Sequence, residues 1–416
     1  MEKLVIHGGR PLNGEIKVSG AKNSALPLLF ATLLAPGEFR ISNVPNLRDI
    51  RTATSLLKQL GAEVVIEGDL VKIWTDSLQN ADAPYDLVKT MRASVLALGP
   101  LLARLGRARV SLPGGCAIGA RPINLHLEGM RKFGAKIELE AGYVTATADR
   151  LKGANIALEL PTVTGTENLM MLATAAEGET LIENAAREPE IEELANFLNA
   201  MGANIHGAGT DTITVNGSKS LSATPYAVMP DRIEAGTFLI AGAATRGDLF
   251  VKNADPSHLN AVISKLEDIG AVVTPEKDGI RIRTSGPLNA VDIQTEPFPG
   301  FPTDCQAQMV ALLATARGTS TVVENVFENR FMHVQELQRM GANIKLTGNT
   351  AIIRGTEKPL SGAPVMATDL RASASLIIAG LVAESTTEVQ RIYHLDRGYD
   401  RIEEKLKKVG ADIVRV

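Results

Sequence analysis

The chain has 416 residues, 45% of them apolar, 22% charged and only 4% aromatic, with a net charge of −4. That balance excludes a generally basic nucleic-acid binder and leaves few base-stacking platforms, and the length is too great for one ordinary core, so two or more domains are expected. Two cysteines in unrelated contexts suit a reducing compartment; the first residues lack the apolar core of a signal peptide, and the longest apolar runs are about half the roughly 20 residues of a membrane span, so a soluble, cytoplasmic protein with no membrane partner is expected.

Helices rich in small and apolar residues are expected, in chain order, at 24–35, 93–103, 166–176, 235–244, 306–316 and 372–383. Each is followed by a short strand, then by an amphipathic helix that closes on Gly-Ala before further strands. In the third copy, Ile191, Leu194, Leu198 and Met201 carry the helical spacing over 190–201, and strands are expected at 180–183, 205 and 213–215. The closing glycines are Gly61, Gly134, Gly202, Gly270, Gly341 and Gly410, a period of 68–73 residues. Such a period marks one supersecondary unit used six times. Each copy therefore reads helix, strand, helix, strand, strand. Six copies split most naturally into two sets of three, each closing around an axis with helices inside and sheets outside.

Residues that depart from the repeat are the candidates for chemistry. Helix starts attract anions, and cations stand at equivalent starts in several copies: Lys22, Arg92, Arg121, Arg330, Arg371 and Arg397. Guanidinium groups bind carboxylate and phosphate through a planar fork. Facing one cleft, this set would hold a polyanion. The second copy carries a lengthened loop, Leu112-Pro113-Gly114-Gly115-Cys116-Ala117-Ile118-Gly119-Ala120-Arg121-Pro122. A cysteine beside an arginine there should have a lowered pKa and can act as nucleophile or proton donor. Cys305 is expected to pack. Asp304, in Pro302-Thr303-Asp304, is either a helix cap or a general base; Asp369 shares the ambiguity. The six histidines show no metal-ligand spacing, and only His394 is placed near a site. The residues alone also permit a non-catalytic anion-binding scaffold.

These motifs, with Ser19-Gly20-Ala21-Lys22-Asn23, Phe327-Glu328-Asn329-Arg330-Phe331, Asp369-Leu370-Arg371-Ala372 and Asp396-Arg397-Gly398-Tyr399, resemble the enolpyruvyl transferase family along essentially the whole chain. The Cys116 loop resembles the branch that acts on a nucleotide sugar more than the 5-enolpyruvylshikimate-3-phosphate synthase branch. The resemblance implies an α/β fold of two inverse α/β barrel domains, each of three βαβαββ repeats, with 21–228 as one domain and 1–20 plus 229–416 as the other. It implies transfer of enolpyruvate from phosphoenolpyruvate to the 3-hydroxyl of UDP-N-acetylglucosamine, with no cofactor and no metal. Carried over by position, Lys22, Asn23, Arg92, Arg121 and Arg397 would contact phosphoenolpyruvate or its phosphate, and Arg330 and Arg371 its carboxylate side. Cys116 would be general acid and Asp304 general base, with Lys22 and Arg397 counted in the catalytic set. Arg121, Pro122, Ile123, Asn124, Leu125, Pro161, Thr162, Val163, Asp304 and Val326 would line the nucleotide-sugar site, with Asp369 among the substrate-binding residues. Inactivation by fosfomycin at Cys116 is a further implication.

Overall fold

The computed structural model describes residues 2–89, 91–112, 123–217, 220–356 and 359–416. The chain divides into two compact units. One holds the described residues of 1–19 and 230–416, the other those of 20–229.

The repeated Gly-Ala has one physical cause in all six copies. Each glycine ends an amphipathic helix with φ between 91° and 109°, a left-handed conformation that a Cβ disfavours. The following alanine N–H then turns back onto the carbonyl of the residue five earlier. Ala62 donates to Leu57 at 3.0 Å, Ala135 to Met130 at 3.3 Å, Ala203 to Leu198 at 3.0 Å, Ala271 to Leu266 at 3.0 Å, Ala342 to Leu337 at 3.0 Å and Ala411 to Leu406 at 3.1 Å. This closes the helix and launches the next strand in a fixed direction.

Each copy also begins with a short strand. In the second unit these are Pro225–Ala227, Asp82–Ala83 and Asn155–Ala157; in the first they are Asn13–Lys17, Ile293–Gln294 and Pro364–Met366. Each pairs parallel to the strand that follows the buried helix, namely Glu38–Ser42, Arg107–Ser111, Glu179–Glu183, Asp248–Lys252, Thr319–Val323 and Thr386–Gln390. A hairpin completes five of the six four-stranded sheets, and strands from the two ends of the chain complete the sixth. The repeat is thus βαβαββ. In the first unit the N-terminal segment supplies two strands: Leu4–His7 fits between Thr386–Gln390 and Asp412–Arg415, and Asn13–Lys17 joins Asp248–Lys252.

The first helix of each copy is buried on nearly all sides, the second on one face. Every residue of Arg232–Ala244 and of Gln306–Leu313 is buried, and all but Leu370 of Leu370–Leu381. These three pack on one another at the centre of the first unit, with the sheets around them: an inverse α/β barrel. Small residues permit the close approach. A Cβ on Gly236 would lie 3.0 Å from Cys305 Sγ, and one on Gly99 would lie 2.5 Å from the Asn168 carbonyl oxygen. Between the described parts of each unit runs one continuous apolar core.

Candidate active site

In the first unit, Asp304 lies in the turn Thr303–Cys305, just before the buried helix Gln306–Leu313. Its carboxylate does not cap that helix. Arg330 donates from Nη2 to Oδ1 at 2.6 Å, and Arg371 donates from Nε to Oδ2 at 3.2 Å. Asp369 is the residue that caps: its Oδ1 accepts from the Arg371 and Ala372 N–H groups at 2.7 and 2.9 Å. That cap starts Leu370–Leu381 and so fixes where Arg371 leaves the helix.

Arg371 is 1% exposed and stacks over the Tyr399 ring, 5.2 Å from its centroid. Burial alone would weaken its hold on the proton, but Tyr399, Asp304 and Asp231 keep it above the ordinary guanidinium value. Its Nη2 has no hydrogen-bond partner among the described residues and sits 4.0 Å from Asp231. A buried guanidinium donor without a hydrogen-bond acceptor is costly unless a ligand supplies one. Gln308 braces the same floor, donating to the Asp304 carbonyl at 2.8 Å, Thr237 at 3.0 Å and Tyr399 at 3.1 Å. Arg397 ends the half-buried turn Leu395–Arg397, whose Asp396 is gripped by Arg415 at 2.6 and 3.1 Å. Val326 is half-buried, in the segment between strand Thr319–Val323 and Arg330.

In the second unit, Lys22 opens the buried helix Lys22–Ala31, is itself buried, and lies 3.6 Å from the buried Asp49. Asn23 follows it, half-buried. Arg92 starts the 3₁₀ segment Arg92–Ala97. Ile123 and Asn124 stand at the start of helix Asn124–Lys132, with Leu125 half-buried behind them. Thr162 caps Val163–Ala173 through its hydroxyl, which accepts from Gly165 N at 3.3 Å, and Pro161 is exposed just before it. Cys116, Arg121 and Pro122 lie outside the described residues.

Two expectations change. The third buried helix begins at Val163, not Thr166, so Thr166, Glu167 and Asn168 are interior residues and not a helix start. The Thr162 cap and the fit of Gly165 against Thr162 set that earlier start. His126, set aside in the sequence, is buried close enough to Arg92 to feel its charge. Burial, then Arg92, lowers its pKa to about 4. Asn168 accepts from Gly99 N through Oδ1 at 2.7 Å, so its Nδ2 donates to the Val95 carbonyl at 2.9 Å and to His126 Nδ1 at 3.1 Å. The proton of His126 therefore sits on Nε2, facing Thr164 Oγ1 at 3.3 Å. Cys305 is wholly buried, and burial pushes its thiol up to about 12, the inert packing residue expected.

Comparison with known proteins agrees with this architecture. The family described as EPSP synthase (3-phosphoshikimate 1-carboxyvinyltransferase) matches residues 6–406. The chain belongs to that family of carboxyvinyltransferases. It is 60% identical over 416 residues, the whole of both chains, to the UDP-N-acetylglucosamine 1-carboxyvinyltransferase of Geotalea uraniireducens, and equally to that of Geobacter metallireducens. The enzyme of the same name from Shewanella woodyi is 61% identical over 419 residues. Among solved structures, the enolpyruvyl transferase NikO from Streptomyces tendae covers 100% of this chain and 99% of its own, with a TM-score of 0.89 at 27% identity. An EPSP synthase from Acinetobacter baumannii covers both chains fully, with a TM-score of 0.78 at 20% identity, a likeness of fold.

Among the described residues no helix is long and apolar enough to cross a membrane, and no cluster of His, Cys, Asp or Glu is placed to hold a metal ion.

Proposed function

We propose that this chain transfers the enolpyruvyl group of phosphoenolpyruvate to the 3-hydroxyl of UDP-N-acetylglucosamine, releasing inorganic phosphate and supplying peptidoglycan synthesis from the cytoplasm. The observation that carries this reading is the identity of 57–61%, along full length, to relatives named for that transfer, against 20% for the solved EPSP synthase.

The chemistry assigns roles. In the first step the sugar oxygen bonds to C2 of phosphoenolpyruvate, its proton leaves, and another proton joins the methylene carbon. In the second, a proton leaves the new methyl group and the bond from C2 to the phosphate oxygen breaks. The tetrahedral species between them bears carboxylate and phosphate on one carbon. Asp304 takes the hydroxyl proton and Cys116 delivers the one to carbon. Lys22, Asn23, Arg92, Arg121 and Arg397 hold the phosphate end, and Arg330 and Arg371 the carboxylate. Asp369 supports that pair by fixing Arg371. Arg121, Pro122, Ile123, Asn124, Leu125, Pro161, Thr162, Val163 and Val326 receive the nucleotide sugar. The buried, preset cations support the reading, because they stabilise new negative charge without reorganising.

The test is product analysis. Protein, phosphoenolpyruvate and UDP-N-acetylglucosamine should yield a nucleotide sugar heavier by one enolpyruvyl group, with the ether at O3 by NMR. Unchanged substrates after prolonged incubation would refute the assignment.

A further inference from the structure

Glu324 is 2% exposed and follows the strand Thr319–Val323, outside the residues assigned above. Its carboxylate collects four hydrogen bonds. Oε1 accepts from Thr295 Oγ1 at 2.9 Å, Val326 N at 2.9 Å and Phe327 N at 3.1 Å; Oε2 accepts from Thr303 Oγ1 at 2.9 Å. Thr295 Oγ1 itself accepts from Asn325 N at 2.9 Å. One acidic side chain thus pins two segments at once, the Thr303–Asp304 turn and the Asn325–Phe327 bend.

The consequence lies in the direction of one hydroxyl. A threonine has a single O–H to donate. Thr303 gives it to Glu324, so its oxygen faces Arg330 as an acceptor, and Arg330 Nη1 donates to it at 2.7 Å. The other nitrogen of the same fork, Nη2, donates to Asp304 Oδ1 at 2.6 Å. The guanidinium is planar, so fixing one nitrogen fixes the other. We infer that Glu324 is a positioning residue for the transfer: through the Thr303 hydroxyl it orients Arg330 against Asp304, and through Val326 it shapes the acceptor-binding bend. The inference rests on the reaction proposed above.

Substitution separates the two effects. In Glu324→Gln an amide NH₂ at the Oε2 position would meet Thr303 Oγ1 as a donor, so the hydroxyl hydrogen loses the acceptor that fixes its direction and the lone pair aimed at Arg330 Nη1 is no longer held in place. The remaining oxygen still serves Thr295, Val326 and Phe327. Thr303→Val removes the hydroxyl and leaves Glu324 in place, and Thr303→Ser restores it. Steady-state kinetics with phosphoenolpyruvate and UDP-N-acetylglucosamine should show kcat at least about tenfold lower in E324Q and in T303V, with the acceptor KM changed less than about threefold. T303S should recover most of the rate, and the E324Q/T303V double variant should be no slower than the worse single one, since both cut the same link. Should E324Q fail to fold, T303V against T303S decides alone. Wild-type kcat in T303V, or independent multiplying losses in the double variant, would overturn the inference. Absence of turnover in the unmodified enzyme would instead overturn the reaction itself, so the two failures are distinguishable.

Discussion

Arg330 reaches Asp304 at 2.6 Å from a side chain that is only 6% exposed. With Arg371 on the second carboxylate oxygen, the aspartate has one fixed orientation and two cationic neighbours. An acid placed this way is poorly explained as a helix cap, which Asp369 already exemplifies one repeat later. The transfer proposed above makes it the group that meets the acceptor hydroxyl. Replacing it by asparagine keeps size but turns one of the two acceptor oxygens into a donor facing Arg330 or Arg371, and removes the proposed base. D304N should lower kcat by roughly 10²–10⁴-fold, with an unchanged far-ultraviolet circular dichroism spectrum. Turnover within threefold of the unmodified enzyme would require another base.

The two cysteines should behave oppositely. Cys305 is buried with a thiol pushed up to about 12, so almost no thiolate exists at pH 7 and no reagent reaches it. Native protein treated with iodoacetamide should take up one label per chain, on the Cys116 peptide by mass spectrometry. Exposure to fosfomycin should block that label. Modification of the Cys305 peptide before unfolding would contradict the packing described for it.

His126 should draw stability out of the fold as the pH falls through a window set by its own shift. Its pKa is about 4 in the folded protein against an ordinary 6.5. Above pH 6.5 neither state binds the proton. As pH falls from 6.5 towards 4, the unfolded chain is protonated first, so folding loses up to about 3 kcal/mol through this one group. Glu193, raised to about 7 by burial, acts in the opposite direction over pH 7 to 4.5, because the folded state then binds the proton first. Comparison with H126N isolates the histidine. In denaturant titrations from pH 7 to 4 the variant should lose less stability, or gain more, than the unmodified protein, and equal slopes would refute the neutral state of the buried His126.

The contact between Gly99 and Asn168 offers a test of the packing itself. A methyl group at 99 would fall 2.5 Å from both the carbonyl and the Oδ1 of Asn168, where backbone cannot yield cheaply. G99A should cost about 1–3 kcal/mol, seen as a lower midpoint of thermal unfolding. A neutral effect would mean that the helices 98–105 and 163–173 slide apart freely.

Much of this architecture was legible because it repeats. The Gly-Ala pairs marked six helix ends, and the physical requirement behind them, a left-handed glycine followed by a back-bonded alanine, operates in every copy. The short opening strands were not legible in the residues themselves. Asp82–Ala83 and Ile293–Gln294 are two residues long, too short for any alternation, and exist because a neighbouring strand pairs with them; only the family resemblance implied them. The third buried helix is expected from 166, and β-branched residues and a glycine just before it disfavour an earlier start, yet a hydroxyl cap and a tight glycine fit start it at Val163. Lys22, Arg92 and Arg371 stand at helix starts as the comparison of copies implied, whereas Arg330 and Arg397 stand in turns ahead of the helices His333–Arg339 and Ile402–Lys408. Glu324 and Asn168 were missed for the opposite reason: each is an ordinary polar residue in sequence, and its importance appears only in the four and three hydrogen bonds it makes after folding.

The most direct test of the account is phosphate release from phosphoenolpyruvate measured with each acceptor in turn. With UDP-N-acetylglucosamine the purified protein should release phosphate continuously, and with shikimate 3-phosphate at the same concentration it should release none above background. Turnover with shikimate 3-phosphate alone, or with neither acceptor, would contradict the account.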